Sequence, residues 1–356
     1  MAARIDRWLH ALVKQDGSDL HLAAGRPPLA RVHGVLQPLE SAPLEGKSLR
    51  ALLEEITPKD GRETYRSTGD HDFAYAVQGL ARFRVNLFVQ EHGPGAVLRV
   101  IPEKILSLAE LKAPPVLDKL ADLNGGLALV TGPTGSGKST TMAAIVDAIN
   151  ARSTRHVVTI EDPLEFVHSR KRSFFSQREV GQHAKSFASA LRAAVREDTD
   201  VLLVGEMRDH ETIALALAAA EMGVLVFGTL HTNSASKTIA RIIDAFPMEE
   251  QPQARLSLSE SLAAVVAQIL LPSADGRGRV AVHEILLRSP GLANLIREGN
   301  ASMIANAIQA GKGAGMQTMD DALFAAASER RITPEHAFEH AQDKKRFQPL
   351  LPKGEQ

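Results

Sequence analysis

The eleven residues TGPTGSGKSTT, Thr131 to Thr141, follow the apolar run LALV and hold three glycines, one lysine and hydroxyl side chains on both flanks. Glycines at 132, 135 and 137 leave one side of the backbone bare, so the chain can curl and aim its N–H groups at phosphate oxygens. The helical run TTMAAIVDAIN comes next and adds the positive end of its dipole. Strand, glycine loop and helix in that order make Gly132, Pro133, Thr134, Gly135, Ser136, Gly137, Lys138 and Ser139 a phosphate-binding loop rather than a plain turn. In such a loop Lys138 places a full charge between β- and γ-phosphates, and the Ser139 hydroxyl ligates Mg²⁺.

A nucleotide site needs further groups to do chemistry, and carboxylates end two other apolar runs. HVVTIEDPLEF closes with Glu161, Asp162 and Glu165, and VLLVGEMRD carries Glu206 and Arg208. In a parallel sheet the carboxyl ends of the strands line one edge, the edge that holds the phosphate loop. Acidic groups there either order a water for in-line attack or hold Mg²⁺ through water. Each alone reads equally well as a surface carboxylate; the shared topological position favours chemistry. The run FGTLHT puts His231 at a fourth strand end, where it is either an ordinary hydrogen-bonded histidine or a sensor of the nucleotide state. A general hydrolase of this type has an aspartate before the glutamate of the second strand; here Gly205 stands in that place.

The elements that must position these groups divide near residue 110. Before it, one helix with Ile5, Trp8, Leu9, Leu12 and Val13 at core spacing precedes the strand candidates SDLHLAAG, PLARVHGVLQPL, HDFAYAV and ARFRVNLFVQ. EHGPG then leads into AVLRVI, a hairpin with a turn of several residues. After ILSLAELKAPPVL, the runs LALVTG, HVVTIEDP, VLLVGEMRD, VLVFGTLHT and VAVHEILL alternate with helical stretches. Fully apolar strands in that alternation predict a parallel sheet covered on both faces. From about Ser289 the tail reads as helical and polar.

A chain of 356 residues suits two domains. With no cysteine there is no disulfide framework and no cysteine-ligated metal site. Its 41 basic and 42 acidic residues nearly cancel, so no global charge draws it to nucleic acid or anionic lipid. No stretch reaches the ~18 apolar residues of a membrane span, and the expectation is a cytoplasmic protein.

GPTGSGKSTT, TIEDPLEF, SQREVG, VGEMRDHETIALALAAAEMGVLVFGTLHTNSASKTIARIIDAFP and VAVHEIL, in this order and spacing, resemble the secretion ATPases that drive type II secretion and type IV pili. The opening GSDLHLAAGRPPLARVHG, the tail elements NLIREGN and GMQTMDDAL, and the missing cysteine-lined loop resemble the PilT-type retraction branch. The sequence departs from that branch at Ala293, where an arginine usually stands, and at Thr199, where a proline does. A PilU-like accessory motor is the near alternative.

The resemblance implies an α/β protein. A PAS-like α+β domain over 1–105 and a linker over 106–120 precede a RecA-like ATPase core over 121–288 and a C-terminal helical region over 289–356. It implies ATP and Mg²⁺ as ligands, with Thr140 beside the phosphates, Glu165 polarising the attacking water and Glu206 acting through the Mg²⁺ shell. His231 then reports loss of the γ-phosphate, and Glu161, Asp162 and Arg208 support the site. Its implied setting is a homohexameric ring at the inner-membrane base of the pilus machine, acting on a platform protein, with a PilU-like paralogue as a possible companion and no nucleic acid. The implied activity is ATP-driven pilus retraction, and hence twitching motility.

In RFRVNLFV, period two puts Arg82 and Arg84 on one face, and Arg99 of AVLRV joins them if the apolar faces coincide. Three guanidiniums together call either for nearby carboxylates or for an outside anion. The ring implied by the family offers the γ-phosphate of the adjacent subunit. A nucleic-acid translocase is a reading of another class, but aromatics are scarce and RKR at 170–172 is the clearest basic run. A switch without turnover is a third, opposed by Glu165 and Glu206.

Overall fold

The structure is a computed structural model and describes residues 3–32, 34–101 and 104–351. Its contacts group Met1–Lys104 with Pro163–Val167 as one unit, and Ile105–Asp162 with His168–Gln356 as a second. Among the described residues no helix is long and apolar enough to cross a membrane.

The first unit opens with α1 (Asp6–Lys14), which buries Trp8, Leu9 and Leu12 beside Ile5, as their spacing predicts. Three strands follow, β1 (Gly17–Ala23), β2 (Leu29–Val32) and β3 (Val35–Pro38). PLARVHGVLQPL is thus two strands, with His33 outside the described residues. After α2 (Gly46–Ile56) and α3 (Lys59–Thr68) come β4 (Asp70–Val77), β5 (Ala81–Gln90) and β6 (Gly93–Ile101). The sheet is antiparallel in the order β3-β2-β1-β6-β5-β4. Phe83, Val85 and Leu87 of β5 and Ala96 and Leu98 of β6 share its core. The β5–β6 turn is tighter than expected. Gln90 is opposite Gly93, which leaves Glu91 and His92 at the turn. Gly93 takes a φ of 119°, a value open mainly to glycine, and the chain can reverse there at once.

The second unit begins with α4 (Pro115–Asp118). The stretch 106–120, expected as a linker, instead buries Leu108, Val116, Leu117 and Leu120 in the core of this unit. Next come β7 (Gly126–Thr131), α5 (Lys138–Arg152), β8 (His156–Glu161), β9 (Phe174–Glu179), α6 (Phe187–Ala194) and β10 (Val201–Val204). They are followed by α7 (His210–Glu221), β11 (Leu225–Leu230), α8 (Ala235–Asp244), α9 (Gln251–Ser261), β12 (Leu262–Pro272) and β13 (Arg279–Leu287). The helices α10 (Pro290–Arg297), α11 (Ile304–Ala310), α12 (Met319–Ser328), α13 (Pro334–His340) and α14 (Lys344–Phe347) complete the described chain.

The sheet order is β13-β12-β7-β11-β10-β8-β9. Successive residues of β7 enter different cores. Leu127 and Leu129 join Ile213, Leu217 and Ile239. Ala128 and Val130 join Met142, Ile145 and Ile149 of α5. This is the two-sided cover that fully apolar strands require. VAVHEILL, expected with the parallel strands, is corrected to β13, an antiparallel edge strand along β12. The tail is helical but not merely polar: Leu323 and Phe347 pack with Leu271 and Val282 of the β12–β13 hairpin. Thr199, in the place of the usual proline, donates its hydroxyl to the Ala194 carbonyl at 2.7 Å and so satisfies the end of α6.

Candidate active site

The strands that carry the expected site residues are neighbours in the order β7, β11, β10, β8, all parallel. Their carboxyl ends fall in register, with Thr131 beside Leu230, Gly228 beside Val204 and Val204 beside Ile160. The residues at and just past those ends are therefore set along one sheet edge: the phosphate loop, then His231, then Glu206, then Glu161 and Asp162.

The loop has the conformation its glycines allow. Gly132, Gly135 and Gly137 have φ of 148°, 79° and 84°, and Gly137 caps α5, which begins at Lys138. The Lys138 ammonium donates to the carbonyls of Gly132 at 2.8 Å and Pro133 at 3.0 Å. Ser139 and Thr140 stand in the first turn of α5, where N–H groups without intrahelical partners point out of the helix.

Glu206 is the best-organised carboxylate of the edge. One oxygen accepts from Arg208 at 2.6 Å and the other meets His231 Nε2 at 2.9 Å. The Arg208 hydrogen bond, with the Arg208 and His231 charges added, outweighs partial burial and holds the Glu206 carboxyl below its ordinary value. Asp162 adds its charge beside Arg208. Parallel pairing of β10 with β11 brings their carboxyl ends together and makes this meeting possible. Met207 N–H donates to the Thr229 carbonyl, and a Cβ at Gly228 would sit 2.3 Å from the Met207 sulfur. A side chain at 228 would have to displace the Met207 side chain, so the glycine leaves room for it beside β11. Gly205 has a similar reason. A Cβ at 205 would lie 3.2 Å from the Glu161 Cα and from the Ile160 carbonyl oxygen. An aspartate at this position would need the β8 backbone to give way.

Glu165 is exposed between buried Leu164 and Phe166, and its segment, Pro163–Val167, belongs by its contacts to the first unit. The structure therefore places Glu165 in a different unit from the phosphate loop, Glu206 and His231.

The arginines lie as period two predicts. Arg84 is directly opposite Arg99 on the β5–β6 ladder, and Arg82 is opposite Ile101 two positions along. Carboxylates from the flanking strands stand beside them. Arg99 donates to Asp19 at 2.7 Å, and Arg84 is 3.8 Å from Asp72. Burial pushes the Asp19 carboxyl up, but its bonds to Arg99 and Ser18 outweigh that and hold it below the ordinary value.

Two functional candidates escaped the sequence reading. Gln268 of β12 donates to the Ser136 carbonyl of the phosphate loop at 2.6 Å, and His283 of β13 meets Gln268 at 3.1 Å. The one local signal was a glutamine inside an otherwise apolar run, LAAVVAQILLP.

The family model described as "Type II/IV secretion system protein" matches residues 2–277. The chain is 49% identical to "Type IV pilus retractation ATPase PilT" of Pseudomonas aeruginosa over 94% of its own length and 97% of the relative's. It is also 49% identical to "Twitching motility protein" of Neisseria gonorrhoeae, over 89% and 84% of the two chains. A crystal structure of the pilus retraction motor PilT with bound ADP superposes with a TM-score of 0.90 at 42% identity, covering 97% of this chain and 99% of that one. With its phosphate loop formed and its strand-end carboxylate engaged by His231, the chain belongs to the type II/IV secretion system protein family, as a PilT-type pilus retraction ATPase.

Proposed function

We propose that this ATPase works as a homohexameric ring at the cytoplasmic base of a type IV pilus, where it acts on a membrane-embedded platform protein. The observation that carries the hydrolytic part is the Glu206 carboxylate, held ionised by Arg208 and hydrogen-bonded to His231 on the edge that bears the phosphate loop. ATP binds through the loop amides, Lys138 and Thr140. Mg²⁺ fits the donors present, since Ser139 and Glu206 offer oxygen only and a phosphate-bound Mg²⁺ keeps most of its water. When bound, the metal would neutralise charge at the phosphates; Ser139 and Glu206 would hold it, Glu206 through water, and Glu165 would polarise the attacking water. His231, bonded to Glu206, reads out loss of the γ-phosphate.

The first unit is PAS-like in this reading, which its six-stranded antiparallel order supports, and its arginine face serves the neighbouring subunit. Arg84 and Arg99 stand directly opposite on the ladder, where like charges are destabilising, and Asp19 and Asp72 offset them; in this reading the neighbour's phosphate takes the place of those carboxylates. The limits at 105 and 288 are part of the same proposal, with 106–120 packed into the ATPase core, and residues 1–2, 33, 102–103 and 352–356 lie outside the described residues.

The test is genetic and optical. With the gene deleted, single fluorescent pili should extend and never shorten, and Lys138→Ala should reproduce that state. Normal shortening in the deletion would leave a PilU-like accessory role, and stimulation of phosphate release by single-stranded DNA would favour the translocase. A steady-state phosphate-release assay that shows no turnover would leave a switch.

A further inference from the structure

Behind the phosphate loop lies a buried polar chain in which Gln268, outside the family motifs named above, joins Ser136 and Thr141 of the loop to His283 of VAVHEIL. Gln268 is 1% exposed and sits on β12, the parallel neighbour of β7. We propose that Gln268, oriented by His283, is a positioning residue for nucleotide phosphate, acting through the phosphate-loop backbone. This rests on the ATPase reading of the same loop.

Three hydrogen bonds fix the arrangement. Gln268 Nε2 donates to the Ser136 carbonyl at 2.6 Å. Gln268 Oε1 accepts from the Thr141 hydroxyl at 2.8 Å and meets His283 Nε2 at 3.1 Å. A carbonyl only accepts, so the amide nitrogen must face Ser136, and the amide oxygen is left facing two donors. His283 must therefore carry its proton on Nε2. Burial, with the Arg331 charge acting the same way, lowers the imidazole to about 4, so the ring is neutral and holds one proton. Each of the three bonds then has a donor and an acceptor, with no second orientation of the amide that serves all of them.

The consequence reaches the ligand through peptide geometry. In a planar trans peptide the C=O and the following N–H point in opposite directions. With the Ser136 carbonyl bound to Gln268, the Gly137 N–H points away from β12, to the side where loop amides receive phosphate. Thr141 ties the first turns of α5 to the same amide. Two of the loop glycines also lie against this residue. A Cβ at Gly132 would be 2.2 Å from the Gln268 carbonyl oxygen, and one at Gly137 would be 3.0 Å from Gln268 Nε2. The glycines thus serve close approach to β12 as well as curvature.

The experiment uses the full chain, ADP titrated by calorimetry, and kcat and KM for ATP. Gln268→Leu leaves a buried carbonyl unpaired and should weaken ADP roughly 5- to 100-fold. His283→Leu removes only the orienting donor and should weaken ADP about 2- to 10-fold. His283→Gln can still donate and should recover most of that loss. Because His283 acts through Gln268, the double Leu variant should bind no worse than Gln268→Leu alone. A purely structural role would lower thermal stability in each variant but would not give this non-additivity or this rescue. ADP binding within twofold of the native chain in Gln268→Leu would overturn the proposal. So would multiplicative losses in the double variant, or His283→Gln as weak as His283→Leu. If Gln268→Leu does not fold, the two His283 variants decide by themselves. A native chain that binds no ADP would instead sink the ATPase reading.

Discussion

Lys138 and Arg99 are both cations offered to an anion, and the structure holds them differently. Lys138 rises from the first turn of a helix and bonds two carbonyls of its own loop, at 2.8 and 3.0 Å. Arg99 has a side chain 66% exposed on an antiparallel sheet and bonds a carboxylate, Asp19, from the next strand. Around Lys138 the working donors are backbone amides, whose directions are set by glycine φ values and by Gln268 behind them. Around Arg99 the working donors are side chains whose spacing is set by strand register alone. A backbone cradle holds its shape before the ligand arrives, whereas a guanidinium face must first give up its own carboxylates. The phosphate loop should therefore govern binding, and the arginines should govern rate.

That contrast is broken most severely at Lys138. Lys138→Ala should abolish turnover and weaken ATP together, measured as phosphate release and as ATP affinity. Unchanged ATP affinity would remove Lys138 from phosphate binding.

Arg84→Ala should keep the fold and most ATP affinity while kcat falls by roughly 10³ or more, the scale of a transferred arginine. Arg84→Lys should rescue poorly, because lysine lacks the forked donor geometry. Mixing sharpens the test, since Arg84→Ala has an intact loop and Lys138→Ala has intact arginines. Mixed rings should recover hydrolysis that neither variant shows. Mixed hexamers as dead as their parents would return the three arginines to a purely structural face.

Glu206→Gln comes third. It keeps the shape but loses the charge that engages Arg208 and His231, so kcat should fall by about 10²–10⁴ with ATP affinity retained. Equal losses in affinity and rate would place Glu206 with the cradle instead.

The smallest effect is on stability against pH. His283 is buried neutral, with a value lowered to about 4 from the ordinary 6.5. The unfolded chain therefore binds the extra proton first, and the native state loses stability progressively as pH falls from about 6.5 toward about 4. His283→Gln removes this term. Its thermal midpoint should fall less than the native protein's between pH 7 and pH 5. Glu284, raised by burial, acts in the opposite sense but is common to both proteins and cancels in the difference. Parallel midpoint curves would show that His283 takes up its proton in the native state.

Much of the cradle was legible because its signals are local. Glycine spacing, a following helix and apolar strands are read within a dozen residues, and so were the core face of α1 and the register-dependent face of Arg82, Arg84 and Arg99. The turn of the β5–β6 hairpin was misjudged because Pro94 and Gly95 look like loop residues, yet β6 absorbs them. VAVHEILL has the composition of a buried strand, and composition does not tell parallel from antiparallel.

The sequence by itself determined which residues can bind phosphate and on which strand ends the carboxylates and His231 stand, since period and backbone conformation follow from neighbouring residues. Tertiary structure alone decided what those residues meet. Ser136 and Gln268 are 132 positions apart and share a hydrogen bond because β12 docks beside β7. Glu206 meets His231, 25 positions on, because β10 and β11 are parallel neighbours whose carboxyl ends fall in register. Pro163–Val167, contiguous with β8 in sequence, groups by its contacts with the first unit and carries Glu165 with it. Such contacts join segments far apart in the chain, and their free energy depends on what each segment excludes from water once both are placed.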